Sequence, residues 1–369
     1  MNQSINKTLR ICIVSDQLAT GGAERCAALL SIFFENNQCK VHHLIVVDKI
    51  EYQYSGEVFN MGKLKNNSNG VFNKAKRFYA MKRFFNINVF DFILDFRVKR
   101  FQFQEFFISK FIYNAPIIVS VRSYMTELYF PKNIFLANSI YSKSKKIITV
   151  SKVIEEKIRN EYPYTQVKTI YNPLDFEAIE ALGGEDLAID FEYVIAAGRM
   201  NDEVKQFGHL IETYSKSELP SKNIKLILLG DGILKEKYQK LVQKLNLEKM
   251  ILFKGNVSNP FQYMKRAKLL LLTSKNEGFP NVIIESLACK TPVIAFDCQS
   301  GPSEIIIPNE NGILVENQNF NAFKEALNEM ISNKNLYLHC KQNAKSSVER
   351  FSLKQIGNQW LQLFNEIDK

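Results

Sequence analysis

Ten short apolar runs punctuate the chain at intervals filled by helix-length amphipathic stretches, and that alternation limits the fold more than any other feature. The runs are 9–15, 42–47, 92–96, 117–121, 147–150, 193–197, 224–229, 251–253, 269–272 and 292–296. Strands covered on both faces read as continuous apolar segments, and strands alternating with helices build parallel sheets. At 369 residues the chain is long enough for two domains, each burying its own core. The boundary is expected at Asn172-Pro173, where the strand-like run 167–171 ends in a turn dipeptide and Gly183-Gly184 comes soon after. Two doubly wound α/β domains, 1–174 and 175–351, are the result. The last stretch, 352–369, is predicted to be a helix begun by Ser352, with Ile356, Trp360, Leu363 and Phe364 on one side.

Two motifs carry chemistry. The run 193–197 ends in Gly198-Arg199, with Lys205 and Gly208 beyond it. A guanidinium fork and an ammonium six residues apart on one loop suit the grip of a diphosphate. After 269–272 comes Glu277-Gly278-Phe279-Pro280-Asn281-Val282, with Glu285 eight positions beyond the first acid. This loop lies at the carboxyl end of a predicted strand, where open α/β sheets bind ligands. Pro280 is expected at the first helical position, with the amides of Phe279, Asn281 and Val282 pointing out of the helix start. The plainer alternative makes Glu277 a helix-dipole residue, Glu285 a solvated one and the two cations ordinary surface charges.

This pair of motifs resembles the signature of the family 4 retaining glycosyltransferases of the GT-B fold, the group 1 glycosyltransferases of bacterial polysaccharide or lipid-linked glycan assembly. The likeness extends to Gly21-Gly22-Ala23-Glu24-Arg25, Ile170-Tyr171-Asn172-Pro173 and Gly230-Asp231-Gly232, nearly the whole chain. It implies two Rossmann-like domains facing each other across a cleft, with the C-terminal helix crossing back to the first. It also implies that Arg199 and Lys205 bind the donor diphosphate, Glu277 the sugar hydroxyls and Glu285 the ribose. Gly21, Gly22, Gly198, Gly230 and Val257 complete the expected donor site, and the Val257 loop is expected to meet the base through backbone groups.

The chemistry of such a reaction agrees with those residue types. A UDP-sugar leaves a nucleoside diphosphate, whose growing negative charge preorganised cations stabilise. No Asp-x-Asp metal motif is visible, so Arg199 and Lys205 would stand in for a metal; no metal and no cofactor is expected. Retention rests on the resemblance alone. The Gly21-Gly22 loop lacks the spacing of a dinucleotide loop and has no Gly-Lys-Ser/Thr, which disfavours hydride transfer and P-loop ATPase chemistry; a plain tight turn remains the alternative there.

On the acceptor side the family often presents a His or Asp, and no histidine occurs here between His43 and His209. Arg122, Asp95 and Arg97 are the acceptor candidates, with an internal ion pair of Asp95 as their plainer reading. Two rivals come from other classes: a glycoside hydrolase, which would leave the cations without purpose, and a non-catalytic nucleotide-sugar or glycan-binding protein of the same fold.

Net charge is +10, and it is unevenly placed. Residues 1–174 hold 25 Lys and Arg against 13 Asp and Glu, and 63–100 alone holds ten basic and two acidic residues. Within 71–85 a stripe of Val71, Ala75, Phe78, Met81 and Phe85 runs among five cations. The basic segment 63–100 is expected to attach the protein to an anionic membrane surface; a core-facing helix with a solvated back is the alternative. Nucleic acid is not an expected partner. No run is long enough to span a bilayer, the polar start 1–10 has no secretory core, and six scattered cysteines without C-x-x-C suit a reducing compartment. A cytoplasmic enzyme, peripheral on the inner face of the plasma membrane, is expected.

Overall fold

The apolar runs form parallel strands in the computed structural model, which describes residues 8–66, 70–164 and 166–367. The polar start and the C-terminal end of the chain thus lie partly outside the described residues, as does the Asn-rich tract 66–70. The chain divides into two units, one running to Pro173 and resuming at Leu353, the other Leu174–Ser352. That division falls one residue before the boundary read from the turn dipeptide.

The first unit runs β1 (Arg10–Ser15), α1 (Gly22–Asn36), β2 (Lys40–Ile45), β3 (Glu57–Asn60), α2 (Val71–Ile87), β4 (Phe92–Asp95), α3 (Gln102–Phe107), β5 (Ile117–Val121), α4 (Ile134–Tyr141), β6 (Ser144–Thr149), α5 (Lys152–Glu161) and β7 (Val167–Thr169). Its seven strands lie in the order β3-β2-β1-β4-β5-β6-β7, every pair parallel.

The second unit continues with α6 (Phe176–Gly183), β8 (Tyr193–Ala197), α7 (Phe207–Ser215), β9 (Lys225–Leu229), α8 (Lys235–Lys244), β10 (Ile251–Gly255) and α9 (Phe261–Arg266). Then come β11 (Leu270–Leu272), α10 (Asn281–Ala288), β12 (Val293–Phe296), α11 (Pro302–Ile305), β13 (Gly312–Val315), α12 (Phe320–Ser332) and α13 (Lys334–Ser347). Its sheet has the order β10-β9-β8-β11-β12-β13. Both sheets therefore reverse direction beside their first strand, β1 against β4 and β8 against β11, and such a switch point opens a crevice at the carboxyl ends of the strands. The expected pair of Rossmann-like sheets is present.

The final helix, α14 (Leu353–Ile367), belongs to the first unit. Its Ile356, Trp360, Leu363 and Phe364 join Ile13, Leu30, Phe34, Leu94 and Ile118 in one core cluster. Phe364 stacks on Phe92 at 4.7 Å, and Gly357 lies so close to α1 that a Cβ there would sit 2.3 Å from Phe33 Cδ1. A small residue is what lets the two helices approach.

Two expectations shift. On α2 the stripe does not face outward as a unit: Met81 and Phe85 are buried, Phe84 stacks on Phe59 at 4.7 Å, and Arg77 donates inward to the Val46 carbonyl at 3.2 Å. Val71 and Phe72 in the first turn, Tyr79 and the terminal Ile87 are the large apolar side chains that α2 leaves exposed. The C-terminal half of the helix takes the core-facing alternative because the ring cluster of Phe59, Phe84, Phe85 and Phe90 sits beneath it. Pro280 is the second case: it is the extended residue that caps α10 (ψ 91°), and the helix begins one residue later, at Asn281. All six cysteines are buried and free of disulfides.

Candidate functional site

The second sheet brings the two sequence motifs together because β8 and β11 are neighbours, paired at Ile195 and Leu270. Loops leaving adjacent strands at the same edge must meet. They do so through backbone groups: the Lys275 amide donates to the Val204 carbonyl at 2.8 Å and the Thr273 hydroxyl to the Lys205 carbonyl at 3.0 Å. Across this joint Lys205 Nζ lies 2.5 Å from Glu277 Oε1.

Local packing aims that lysine. Its methylene stem lies over Gly198, where an added Cβ would stand 3.0–3.2 Å from the stem's carbons. Gly230, at φ +123°, brings the end of β9 against the same turn; a Cβ there would sit 1.9 Å from the Gly198 carbonyl oxygen. Only glycine fits a left-handed position with no room beyond Cα. Gly230 in turn donates to the Gly255 carbonyl at 2.7 Å, which ties the loop carrying half-buried Val257 to the same edge.

Glu277 is held on its other side by the buried Ser274, whose hydroxyl donates to Oε1 at 2.6 Å, and its amide donates to the Gln299 carbonyl at 3.1 Å. Ser300 Oγ donates to the Gly278 carbonyl at 2.6 Å, so the loop after β12 braces the Gly278-Phe279-Pro280 turn. Phe279 is buried against Phe351, and Asn281 and Val282 open α10. Glu285, a turn further along α10, is 8% exposed, which removes it from the solvated-helix alternative. Arg199 is exposed on the Gly198 turn, its side chain making no ion pair or hydrogen bond among the described residues. The side chains of Lys205 and Glu277 are only 20% and 14% exposed, so their charges are partly shielded from water. Cys298 is close by, but burial first and the Glu277 charge second push its thiol up to about 12, too high for a nucleophile at neutral pH.

Ser274, Thr273 and Ser300 were not read from the sequence. The available signal was two hydroxyl residues placed between an apolar run and an acid, the position from which a strand's end can support the loop beyond it.

The remaining expected residues lie in the first unit. Gly21 caps α1, its amide donating to the Tyr52 hydroxyl at 3.2 Å, and Gly22 is the first helical residue. Arg122, half-buried at the end of β5, stacks 5.1 Å over Phe96 and bonds Ser120 Oγ at 3.2 Å and the Asn172 carboxamide oxygen. Asp95 and Arg97 correct the acceptor assignment. Both are buried, and Arg97 bonds Asp95 Oδ2 at 2.8 Å, Glu105 Oε2 at 3.0 Å and the Tyr113 hydroxyl at 3.1 Å, while Lys99 also pairs with Asp95. Burial opposes the charge on Asp95, yet Arg97 and Lys99 overcome it and hold the carboxyl well below the usual carboxylate range. Every one of these polar groups is spent inside the unit, which is the internal ion pair of the plainer reading. Asp16 was not anticipated. It sits at the end of β1, half-buried, with its carboxyl pushed above the usual range by burial first and making no hydrogen bond among the described residues.

Residues 185–347 match the family model described as glycosyl transferases group 1. That stretch of the chain is a group 1 glycosyltransferase domain. Over 359 residues the chain is 29% identical to the N-acetylgalactosamine-N,N'-diacetylbacillosaminyl-diphospho-undecaprenol 4-alpha-N-acetylgalactosaminyltransferase of Campylobacter jejuni, covering 92% of this chain and 95% of that one. A second Campylobacter jejuni enzyme, a GalNAc-alpha-(1->4)-GalNAc-alpha-(1->3)-diNAcBac-PP-undecaprenol alpha-1,4-N-acetyl-D-galactosaminyltransferase, is 23% identical, with 97% and 99% covered. Among solved structures, HepE from Anabaena in complex with UDP and glucose superposes with a TM-score of 0.76 at 19% identity, covering 97% of this chain and all of that one. That likeness is one of fold.

Proposed function

We propose that the chain moves a sugar from a UDP-sugar to a lipid-linked saccharide or other glycan, with retention and without a metal. The observation that carries this reading is the meeting of Lys205 Nζ and Glu277 Oε1 at 2.5 Å, with exposed Arg199 on the same loop as the lysine. A diphosphate recruits both cations; the carboxylate then turns to the sugar hydroxyls, which donate to it. Glu285 accepts from the vicinal ribose hydroxyls, and the braced Gly278–Val282 turn offers backbone amides. The bond between the anomeric carbon and the β-phosphate oxygen breaks as the acceptor oxygen attacks from the same face, and the leaving phosphate takes the acceptor's proton. Lys205 and Arg199 stabilise the charge growing on that phosphate.

Support for the donor comes from HepE, whose solved complexes hold UDP and UDP-glucose. Support for the acceptor comes from the Campylobacter jejuni relatives, whose names specify undecaprenol-linked saccharides. In the first unit, Asp16 and Arg122 take over the acceptor role that Asp95 and Arg97 cannot fill. A lipid-linked acceptor places the enzyme on the cytoplasmic surface of a membrane, and among the described residues no helix is long and apolar enough to cross one.

Mass spectrometry of products tests the reading: the protein is incubated with a panel of UDP- and GDP-sugars and a polyprenyl-diphosphate-linked saccharide. A mass gain of one hexose or N-acetylhexosamine from a UDP donor, insensitive to chelator, is expected. Transfer from no donor, or transfer abolished by chelator and restored by a divalent cation, would overturn it.

A further inference from the structure

We propose that the first unit docks on an anionic phospholipid surface through a face built by α3, the π-helical turn Ile108–Ile112, α4 and the first turns of α2. The proposal deepens the membrane-associated reading above by naming the face, and it stands on the surface of this unit rather than on the donor site.

The face is marked by aromatic side chains that the fold leaves in water. Phe72, Phe101, Phe103, Phe107, Phe111 and Phe135 are each more than half exposed, Phe103 at 80% and Phe135 at 85%. Of the seventeen exposed large apolar side chains among the described residues, only Ile233, Ile307 and Leu338 belong to the second unit. Scattered exposure would divide more evenly between two units of similar size; concentration in one marks a contact surface.

These side chains share one surface. The α3 helix packs on α4, and the π-helical turn packs on both α2 and α4. Phe107 and Phe111 have ring centroids 5.1 Å apart, and Lys82 on α2 donates to the Phe111 carbonyl. Lys110 bonds Ser142 Oγ at 2.8 Å, and Lys143 bonds the Lys110 carbonyl at 2.7 Å. The ammonium groups are thus interleaved with the rings.

Charge selects the occupant. Residues 63–146 contain 16 Lys and Arg and only four Asp and Glu. Two of those four acids, Asp95 and Glu105, are buried in the internal ion cluster and give nothing to the surface. Among the described residues Lys74, Lys76, Lys82, Lys110, Lys132 and Lys143 form no ion pair with an acid. A second copy of the chain would set this positive face against itself, whereas anionic headgroups neutralise it while the rings enter the acyl boundary. The expected stripe on α2 contributes its exposed start; further along, Met81, Phe84 and Phe85 face the core while Tyr79 and Arg83 stay in water.

Co-sedimentation with vesicles tests the face, using phosphatidylcholine alone and phosphatidylcholine mixed with phosphatidylglycerol, at low and high salt. Wild-type protein should partition onto the anionic vesicles only, less so at high salt. The Phe103→Ser, Phe107→Ser, Phe135→Ser triple variant should lose at least about tenfold in partitioning. The Lys74→Glu, Lys76→Glu, Lys132→Glu variant should lose binding mainly at low salt and, touching only exposed residues, serves as the check if the aromatic variant fails to fold. Absence of wild-type binding, or wild-type partitioning by either folded variant, would overturn the proposal. So would a wild-type dimer in sedimentation equilibrium that the aromatic variant converts to monomer, which would make the face a contact between copies. Titration of UDP into the aromatic variant separates this proposal from the donor-site reading, since the variant should bind UDP as wild type does whatever its behaviour on vesicles.

Discussion

Lys205 and Glu277 neutralise each other while no donor is present, and the pair keeps either charge from lying alone in a half-dry pocket. Ser274 fixes which carboxylate oxygen faces the lysine. Ser274→Ala should therefore lower transfer by about five- to twentyfold, the loss of roughly 1–2 kcal/mol from one charge-assisted hydrogen bond, with little change in UDP affinity. Steady-state kinetics beside UDP titration checks this; equal losses in both would mean that the serine merely supports the fold. The buried cluster around Arg97 belongs to stability instead. Arg97→Met leaves two buried acids, Asp95 and Glu105, to share the single cation Lys99, and urea unfolding should show a loss of about 3–5 kcal/mol. Wild-type stability with lost transfer would return Arg97 to the acceptor role. Asp95 and Arg97 were the residues sequence could not sort, because the run Asp95-Phe96-Arg97-Val98-Lys99 has the same composition whether it faces solvent or, as here, Glu105 and Tyr113.

At the scale of elements, β2 carries a group whose titration is readable. His43 is fully buried on this strand, bonding the Ser55 carbonyl at 3.1 Å, and burial pushes its imidazole down to about 4 despite that bond. An unfolded histidine titrates near 6.5, so the unfolded chain binds the extra proton first as pH falls. The stability this residue contributes is present above about pH 6.5 and declines toward pH 4, by roughly 1.4 kcal/mol per pH unit. Urea midpoints of His43→Gln should accordingly fall less than those of wild type across that window; parallel curves would contradict the assignment. The α14 helix offers a packing test. Gly357→Ala pushes a methyl into Phe33 and should cost about 1–3 kcal/mol, measured by the same unfolding. Periodicity revealed this helix and eleven strands, β7 among them through the run 167–171, because most are lined by buried apolar residues. It missed β3 and β13, four-residue strands at sheet edges that form no long apolar run; β3 has no buried residue, and β13 is half-buried between its buried ends. It also put Pro280 inside α10, since a proline fits the cap and the first turn equally well until ψ is known.

For the whole molecule, alternating runs and stretches were enough to anticipate two parallel sheets, because parallel strands need cover on both faces and only crossover helices supply it. The meeting of the two motif loops was legible for a related reason. A strand order that reverses beside its first strand makes β8 and β11 neighbours although 72 residues separate Lys205 from Glu277, and the two loops then have nowhere to go but the same edge. Surface character was less legible: the sequence located the positive charge but not which rings of α2 stay in water, since Met81 and Phe85 of the stripe pack inward and exposure depends on what lies beneath a helix. Central to the proposed transfer is a division of labour in which Lys205 serves phosphate and Glu277 serves the sugar. Calorimetric titration of UDP into wild type, Lys205→Ala and Glu277→Ala tests that division most directly. UDP affinity should fall by about 10- to 100-fold in Lys205→Ala, the worth of one charge-assisted contact, and should hold or rise in Glu277→Ala, where the lysine is released from its partner while transfer is lost. Undiminished affinity in Lys205→Ala, or an equal fall in both variants, would contradict it.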